Sequence, residues 1–393
     1  MAPSTMKALL TGDDWRVAAR RRLPRVVFDY VDGGAEEETT LRANRRAFES
    51  LVLRPRGAVR AVDVELATTV AGAAVSMPVL LAPCGMASLV RPHGDRLAAK
   101  AAARVGTVFV LSTMSGDSVE AVVAAGGPQS VWYQLYRVGT WEDAIRSVER
   151  VRDSGVSGLV VTIDPAVVSL RTRDRRNGGL ALVNSSLWRA LPRLPDLLRA
   201  PTWLGCQLAS RQLPPRLMNV PGPDGLPCRL GRNVPPVSLT WEETDQVRKV
   251  FGGPLIVKGV MTGADACRSL DVGAAAVVVS NHGGHQLDGA DASLWALPEV
   301  VEAVAGQCDV LVDGGIRSGI DVIKSLGLGA SAVMVGRPWL YALAVAGEAG
   351  VEHILGQFQQ SLARNAQLLG VGSLRGLDQA QVVMPLTRRG GAP

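Results

Sequence analysis

The 393-residue sequence is short of aromatic residues and lysines, and each shortage narrows the class of protein. Aromatic residues make up 4% of the chain, and only five of its 42 basic residues are lysines. The arginines are scattered, apart from the clusters at 20–22 and 388–389. Nucleic-acid-binding surfaces combine clustered basic residues with aromatics that stack on bases, so we expect no nucleic-acid partner. The net charge of +6 favours a solvated, arginine-rich surface, and a mild attraction for anionic substrates is the alternative.

Cysteines and long apolar runs are also scarce. The five cysteines are odd in number and form no CxxC motif, which argues against a disulfide scaffold and against a zinc site. We therefore expect no metal and a reducing compartment, with the cytoplasm as the location. Residues 1–15 lack the apolar region of a signal peptide, and no run of about 18 apolar residues predicts a membrane span.

What the sequence does contain is a repeated alternation of apolar, β-branched runs with segments of helical spacing. Such alternation, repeated eight times, predicts an α/β fold of the (β/α)₈ TIM-barrel type. A doubly wound open sheet is the competing fold, but no GxGxxG motif follows the first strand. The predicted strands are Pro78–Pro83, Val108–Thr113, Val131–Tyr136, Leu159–Asp164, Leu255–Gly259, Ala276–His282, Val310–Gly314 and Ala332–Gly336.

Two segments exceed a minimal barrel, although we expect residues 1–393 to form a single domain. Residues 1–76 form an N-terminal extension with a candidate helix at Leu41–Phe48. Residues 166–253, after the fourth strand, are far longer than a usual connection and hold a cluster of prolines. We predict a lid over the barrel mouth, with apolar residues packed on the barrel: Trp188, Leu197, Leu198, Trp203 and Leu204. A capping box at 240–243 starts the next helix.

Polar residues stand where the predicted strands end, which is where barrel enzymes place their chemistry. They are Gln134 and Tyr136 on the third strand, Thr162 and Asp164 on the fourth, Lys258 on the fifth, Ser280 and His282 on the sixth, Asp313 on the seventh and Arg337 after the eighth. Core packing does not require a polar residue at each of these successive ends. The sequence therefore predicts a functional site at this face of the barrel.

The last two strands predict an anion site. Gly314, Gly315 and Arg317 follow the seventh strand, and Gly336 and Arg337 follow the eighth. Glycines let backbone N–H groups approach an anion, guanidiniums neutralise it, and barrels commonly bind phosphate at this corner. The alternative is a pair of glycine turns beside surface arginines.

Three ionisable residues suggest the chemistry. His282 with Asp164 would make a general base and its orienting carboxylate. Lys258 ends a very apolar strand, where it could form a Schiff base, stabilise an anionic ring, or simply pair with Asp164.

The chain resembles the FMN-dependent α-hydroxy-acid oxidase and dehydrogenase family from about Trp15 to Met384. The motifs that carry the resemblance are Leu23-Pro24, Phe28-Asp29-Tyr30, Gly33-Gly34-Ala35-Glu36, Leu81-Ala82-Pro83, Gln134-Leu135-Tyr136, Lys258-Gly259-Val260, Ser280-Asn281-His282-Gly283-Gly284, Asp313-Gly314-Gly315-Ile316-Arg317 and Gly336-Arg337-Pro338. The resemblance implies oxidation of a 2-hydroxy acid to the 2-keto acid, with aromatic and bulky acids among the candidate substrates. It also implies FMN as cofactor and a homotetramer, while some relatives carry a membrane-binding segment within the lid region.

The resemblance also implies roles for individual residues. His282 would take a proton from the substrate's α-carbon or hydroxyl, and Asp164 would stabilise the imidazolium. Tyr30 and Tyr136 would donate hydrogen bonds to the substrate, and Arg171 would contact either its carboxylate or the loop beside it. Lys258 would stabilise negative charge on the flavin. The implied contacts to FMN are Pro83, Cys84, Gly85, Ser112, Gln134, Thr162, Lys258, Ser280, Asp313, Gly314, Gly315, Arg317, Gly336 and Arg337.

Three departures from the family pattern bear on the substrate and the electron acceptor. His285 stands where the family usually has an arginine that pairs with the substrate carboxylate, a change that would cost roughly 2–4 kcal/mol of binding. A protonated His285 is one substitute for that charge. The segment from Asp164 to Arg171 lacks the family's glycine. Gly85 replaces a common alanine, which favours a dehydrogenase or a slow oxidase, so the acceptor is either oxygen or unknown.

Other functions stay open at this point. One is a specialised-metabolism oxidase acting on an amine or alcohol without a free carboxylate, because the branch of the family that acts in mycofactocin maturation also lacks the arginine. A second is an isomerase on a flavin barrel, and a third is a flavoprotein that has lost turnover.

Overall fold

Strands and helices alternate along most of the chain in the computed structural model, which describes residues 6–59, 63–177, 194–210, 216–221, 227–229, 237–374, 377 and 381–383. The strands are β1 (Val52–Leu53), β2 (Thr68–Val70), β3 (Ala73–Val75), β4 (Val79–Leu81), β5 (Phe109–Ser112), β6 (Val131–Leu135), β7 (Gly158–Thr162), β8 (Arg216–Pro221), β9 (Pro227–Arg229), β10 (Leu255–Val260), β11 (Ala276–Val279), β12 (Asp309–Val312), β13 (Ala332–Val335) and β14 (Val382–Val383). The helices are α1 (Gly12–Arg22), α2 (Arg25–Asp32), α3 (Thr39–Ser50), α4 (Ala87–Val90), α5 (Gly94–Val105), α6 (Val119–Gly126), α7 (Trp141–Asp153), α8 (Thr172–Asn177), α9 (Leu194–Leu198), α10 (Pro201–Ser210), α11 (Trp241–Phe251), α12 (Gly263–Asp271), α13 (Ser293–Val304), α14 (Gly319–Gly327), α15 (Arg337–Ala346) and α16 (Glu348–Leu369).

Eight parallel strands close into a barrel in the order β10-β11-β12-β13-β4-β5-β6-β7, which confirms the predicted (β/α)₈ fold and excludes the open sheet. The barrel strands are built from valine, leucine and isoleucine, and most are buried along their whole length, as expected where helices cover the outside. The register pairs Ser112 with Gln134, and Thr162 with Lys258. These four polar residues therefore meet at neighbouring strand ends.

Seven of the eight predicted strands extend one to three residues too far at their carboxyl ends, whereas the fifth, predicted as Leu255–Gly259, ends one residue too early. The clearest error is the sixth, since β11 stops at Val279 and His282 lies in a short 3₁₀ turn, His282–Gly284. His282 has a φ of +59°, which a strand residue does not adopt. The apolar pattern identifies the buried part of a strand but does not record where the backbone turns into the barrel mouth.

Amphipathic spacing and capping boxes define the outer helices. In α7, Ala144, Val148 and Val151 share the buried face, and Thr140 caps the first turn together with Asp143. The predicted capping box of α11 is confirmed, because the Thr240 side chain accepts from the Glu243 N–H and Glu243 returns the bond.

The N-terminal extension is helical, as predicted, and packs against the last helices of the barrel. Trp15 of α1 is fully buried, and its indole N–H donates to Gln357 of α16 over 2.9 Å. Phe28 of α2 stacks on Tyr341 of α15 with ring centroids 6.3 Å apart. The candidate helix at 41–48 is the centre of α3.

The lid region packs on the barrel where the structure describes it. Trp203 is 5% exposed and donates to the Leu89 carbonyl over 2.7 Å, while Leu198 is largely exposed. The hairpin β8–β9 is tied down by Asn219, whose side chain accepts from the Val119 N–H over 2.9 Å. Trp188 lies outside the described residues. Among the described helices, none is both long and apolar enough to cross a membrane.

A buried acid near the lid hairpin predicts a pH-dependent stability. Asp95 is fully buried, and burial together with the nearby carboxylate of Asp117 raises its pKa. Above about pH 4 the unfolded chain has already lost this proton while the folded protein keeps it, so the free energy of unfolding falls as pH rises toward the folded-state pKa.

We expect Asp95→Asn to remove this slope, making the variant more stable relative to the parent at pH 8 than at pH 5. Urea denaturation at both pH values measures the difference. Asp153→Asn, on an exposed carboxylate, serves as the control and should leave the slope unchanged. Equal stability changes at both pH values for Asp95→Asn would contradict the role of this carboxyl.

Candidate active site

A chain of hydrogen bonds centred on His282 lies at the barrel mouth. The imidazole Nδ1 is 3.0 Å from Asp164 Oδ2, and Nε2 is 3.0 Å from the Tyr136 hydroxyl. Because a carboxylate only accepts, Nδ1–H donates to Asp164 and the Tyr136 O–H donates to Nε2. His282 holds a left-handed backbone conformation, as non-glycine residues at functional sites sometimes do. The arrangement leaves a basic nitrogen beside a hydrogen-bonding tyrosine.

The charge on Asp164 persists despite its burial. Burial raises the pKa of this carboxyl, but its electrostatic interaction and hydrogen bond with His282, together with the charge of Lys258, outweigh that effect and lower its pKa overall. An ionised Asp164 fixes the tautomer of His282 and stabilises the imidazolium when Nε2 takes a proton.

Lys258 is buried and pairs with Asp313, whose Oδ2 is 3.2 Å from Nζ. Nζ also donates to Ser280 Oγ over 2.8 Å. Burial lowers the pKa of Lys258, but Asp313 and Asp164 more than compensate and raise it, so the side chain is an ammonium. Lys258 therefore forms its ion pair with Asp313, and the alternative ion pair with Asp164 is not observed. A Schiff base is disfavoured because it requires the neutral amine.

Three buried polar atoms near Lys258 have no hydrogen-bond partner in the described part of the protein: Gln134 Nε2, Thr162 Oγ1 and Asp313 Oδ1. Buried polar groups are rarely left unsatisfied, so these atoms indicate a ligand with matching donors and acceptors. The edge of a flavin ring and its ribityl hydroxyls supply both. Ser112, predicted to contact the same group, bonds to Gln134 Oε1 over 3.2 Å.

The predicted anion corner also fits its ligand. Gly314 and Gly315 both have φ near +90°, and a Cβ on Gly315 would lie 2.6 Å from the Asn44 carbonyl oxygen. Burial lowers the pKa of Arg317 to about 10. Neither Arg317 nor Arg337 forms an ion pair with a carboxylate within the described ranges, and Arg337 is only 8% exposed. Arg337 donates to the carbonyls of Val31, Gly33 and Gly283, so it is no ordinary surface arginine. The Arg317 guanidinium donates only to the Ile316 carbonyl among the described contacts, so this guanidinium and the glycine turns suit a phosphate dianion.

Residues 83–85 border this corner. Cys84 packs against Gly336, where an added Cβ would lie 3.3 Å from Cys84 Sγ, and burial raises the pKa of its thiol to about 12. Cys84 is thus a packed, protonated side chain and no nucleophile. The Gly85 carbonyl accepts from the Tyr30 hydroxyl over 3.2 Å.

The substrate side of the mouth carries one guanidinium near the tyrosines. Arg171 lies over the ring of Tyr30, 5.4 Å from its centroid, and approaches Asp174 only to 4.0 Å. This guanidinium is therefore only weakly paired and keeps donors that can bind an anion.

His285 contributes no positive charge to the site. Its Nε2 is 2.6 Å from the Gly33 carbonyl oxygen and 2.9 Å from Nη2 of the Arg337 guanidinium. Burial and the charges of Arg337 and Arg171 lower the pKa of His285 well below its usual value. The hypothesis that a protonated His285 replaces the family's arginine is therefore not supported, because a second positive charge at this position would be repelled by Arg337.

An apolar surface lies beside the two tyrosines. The lid hairpin brings Leu217, Val220 and Cys228 against Met86 and Val138, all of them buried. Tyr30, Tyr136 and Met114 pack on this cluster. The site therefore has an apolar wall next to its hydrogen-bonding groups.

Sequence reasoning missed the residues that shape the turn before His282. Asn44 of α3 and Asn281 exchange two side-chain hydrogen bonds, of 2.9 and 2.8 Å. Asn281 Oδ1 also accepts from the Gly284 N–H over 3.2 Å. The pair is 237 positions apart in sequence, and the only local signal is a buried polar residue on the apolar face of α3.

Comparisons with known proteins identify the family of the chain. The sequence pattern of a family described as FMN-dependent dehydrogenase matches residues 19–384. The chain is 39% identical to an L-lactate oxidase of a Nostoc species, over 93% of this chain and 95% of that protein. It is 37% identical to an L-lactate dehydrogenase of Pseudomonas syringae, over 95% and 98%.

Solved structures extend the comparison to the fold. The structure of (S)-mandelate dehydrogenase, described as a monotopic membrane protein, superposes with a TM-score of 0.88 at 32% identity, covering 96% of this chain and all of that one. A mandelate oxidase superposes with a TM-score of 0.78 at 34% identity, covering 95% and 98%.

Proposed function

Because the chain belongs to the FMN-dependent dehydrogenase family, and is therefore an FMN-dependent oxidoreductase, we propose that it oxidises a 2-hydroxy acid to the 2-keto acid. The observation that carries the proposal is the hydrogen-bonded series Tyr136–His282–Asp164. It offers a basic nitrogen whose conjugate acid is stabilised by a buried carboxylate. An isomerase has no support from these relatives, which are oxidases and dehydrogenases.

We propose the following roles for the catalytic residues. His282 Nε2 accepts a proton from the substrate, and the ionised Asp164 stabilises the resulting imidazolium. The Tyr136 hydroxyl, now bonded to Nε2, is free to donate to the substrate oxygen once Nε2 engages the substrate. Tyr30, whose hydroxyl now donates to the Gly85 carbonyl, would also donate to the substrate.

The polar residues and glycine turns at the barrel mouth match the parts of FMN. Gln134, Thr162, Ser112 and Ser280 would hold the ring and ribityl chain of FMN, with the backbone of 83–85 beneath. The anion corner formed by Gly314, Gly315, Arg317, Gly336 and Arg337 would hold its phosphate, and Asp313 would bind a ribityl hydroxyl through its free oxygen. Bound FMN supplies the two-electron acceptor, and the Lys258 ammonium places positive charge beside it.

The substrate site combines one carboxylate ligand with an apolar wall. Arg171 and Tyr30 would bind the carboxylate, and the cluster of Met86, Leu217 and Val220 would pack on an apolar substituent. We therefore propose a bulky or aromatic 2-hydroxy acid over a small one.

Anaerobic flavin reduction on purified, FMN-loaded protein tests this proposal. The panel holds glycolate, lactate and mandelate, with the methyl ester and amide of mandelate and the corresponding amine. We expect mandelate to reduce the flavin faster than glycolate. Reduction by the amine alone would favour the alternative oxidase of specialised metabolism, and no reduction by any compound would favour a protein that has lost turnover.

His285→Arg is expected to leave kcat/KM for a free 2-hydroxy acid unchanged or lower, because position 285 is buried against Arg337 and a second guanidinium there is repelled by it. The amide of the same acid should change in the same way, since no contact to the carboxylate is gained. Stopped-flow reduction with acid and amide measures the ratio, and His285→Gln, which stays neutral, is the matched control. A gain of roughly tenfold or more for the acid alone would show that position 285 faces the carboxylate.

The remaining expectations stay predictions. We propose one catalytic domain over residues 1–393, a homotetramer, and a cytoplasmic location, which is consistent with five cysteines that form no disulfide in the described part of the chain. Gly85 beside Tyr30 supports a dehydrogenase or a slow oxidase, and comparing oxygen with an artificial dye as acceptor measures this preference.

A further inference from the structure

A cavity of about 530 Å³ lies away from the residues of the barrel mouth described above, between the N-terminal extension and the lid region. Its walls come from α1, α2, α8 and α9, together with the chain that follows α9. Six arginines line it: Arg16, Arg20, Arg21, Arg25, Arg173 and Arg199. The same walls carry three aspartates, so the lining has a formal excess of three positive charges.

The aspartates are already engaged. Asp32 binds Arg173 over 2.9 Å and also pairs with Arg16. Asp29 faces Arg25 at 3.4 Å. Their pairing leaves little negative charge for the other arginines of the cavity.

Asp196 serves a different purpose. Its carboxylate accepts the first backbone N–H groups of α2, from Arg25 over 3.1 Å and from Val26 over 3.3 Å. A carboxylate at a helix N-terminus is stabilised by the helix dipole. Asp196 thereby fastens the lid segment to α2 and is not in an ion pair with an arginine of the described chain.

Three guanidiniums at the cavity therefore have no carboxylate partner among the described residues: Arg20, Arg21 and Arg199. They come from α1 and from the end of the α9 segment, so they approach the cavity from two sides. The apolar side chains of Leu23 and Phe28 also line it. Converging, unpaired guanidiniums bind oxyanions in bidentate geometry, and phosphate suits them best because of its charge and three or four acceptor oxygens.

We propose that this cavity binds a phosphate-bearing anion, at a site separate from the FMN phosphate corner. The ligand links α1 to the lid segment through Arg20, Arg21 and Arg199. Because α2 carries Asp29 and Asp32 on the cavity and Tyr30 at the barrel mouth, occupancy also steadies the helix that presents Tyr30. The phosphate belongs either to a free metabolite or to a lipid headgroup.

Isothermal titration of FMN-saturated protein with pyrophosphate tests the site. We expect saturable binding, weakened roughly tenfold or more in the triple variant Arg20→Gln/Arg21→Gln/Arg199→Gln. The matched control is Arg96→Gln/Arg268→Gln/Arg364→Gln, which removes the same charge from three exposed arginines that do not line the cavity. All six side chains lie at the surface or the cavity rim, so circular dichroism should show both variants folded.

The outcomes distinguish binding at the cavity from a general attraction of the anion to the positively charged protein. Weakening confined to the cavity variant supports the proposal, whereas equal weakening in both variants, or no saturable binding, overturns it. Flotation with vesicles of phosphatidylcholine, with and without phosphatidylglycerol, then identifies the source of the phosphate. Binding to the anionic vesicles that pyrophosphate displaces indicates a lipid headgroup, and pyrophosphate binding without vesicle binding indicates a free metabolite.

Discussion

His282→Ala is expected to slow flavin reduction by substrate about 10²–10⁴-fold, the usual contribution of a positioned general base. The imidazole is the only group seen to connect the Asp164 carboxylate with the Tyr136 hydroxyl in the described site. Removing it leaves no acceptor for the substrate proton and leaves Asp164 without the cation it stabilises. Single-turnover stopped-flow under anaerobic conditions measures the loss directly.

Bound flavin should survive the same substitution. The residues proposed to hold FMN lie on the strand ends and at the anion corner, and His282 contacts them only through its backbone N–H to Ser280 Oγ, at 3.1 Å. Flavin content measured by absorbance should therefore match that of the parent. Because the His282 side chain is partly exposed, added imidazole should restore part of the rate.

His353→Ala is the matched control. His353 packs against Trp15 of α1, away from the barrel mouth. This substitution should leave the rate of flavin reduction within twofold or so of the parent, given that it removes no group from the site. A fully active His282→Ala enzyme would rule out the proposed base.

Arg171→Met is expected to lower kcat/KM for a 2-hydroxy acid about 10²–10³-fold, because a desolvated carboxylate loses a charge-assisted partner worth roughly 3–4 kcal/mol. The loss should be large here because His285 is neutral and provides no second cation. Methionine keeps much of the apolar stem that packs over Tyr30.

The amide of the same hydroxy acid distinguishes charge from shape. It should lose far less than the acid, since no ion pair is broken. Arg176→Met, on the exposed face of α8, the helix that begins directly after Arg171, is the control and should leave both substrates unaffected. If acid and amide lose activity equally, Arg171 shapes the pocket and the carboxylate is bound elsewhere.

The local features of the fold could be predicted from the sequence. β-branched runs located all eight barrel strands because a parallel strand is apolar on both faces. The capping box at Thr240 placed the start of α11, since a cap depends on residues only three positions apart. Polar residues at strand ends identified Asp164, Lys258 and His282 because chain order and barrel geometry together bring strand ends to one face.

The pairings within the site could not be read in this way. Lys258 binds Asp313 and not Asp164, and Asn44 supports the turn at His282 from the N-terminal extension. Each of these contacts joins segments far apart in the chain, so no local pattern records it. The conformation of His282 itself follows from that support and from the glycines after it.

The charge state of residue 285 shows most clearly which properties the sequence determines and which only the tertiary structure determines. The sequence alone determined that a histidine stands where the family usually has arginine, and that His282, Asp164 and Lys258 lie at neighbouring strand ends. Only the tertiary structure decided that His285 is neutral, because its pKa depends on burial and on Arg337 and Arg171 lying beside it. Residue types and their spacing are properties of the chain, whereas desolvation and Coulomb interactions depend on distances that exist only after folding.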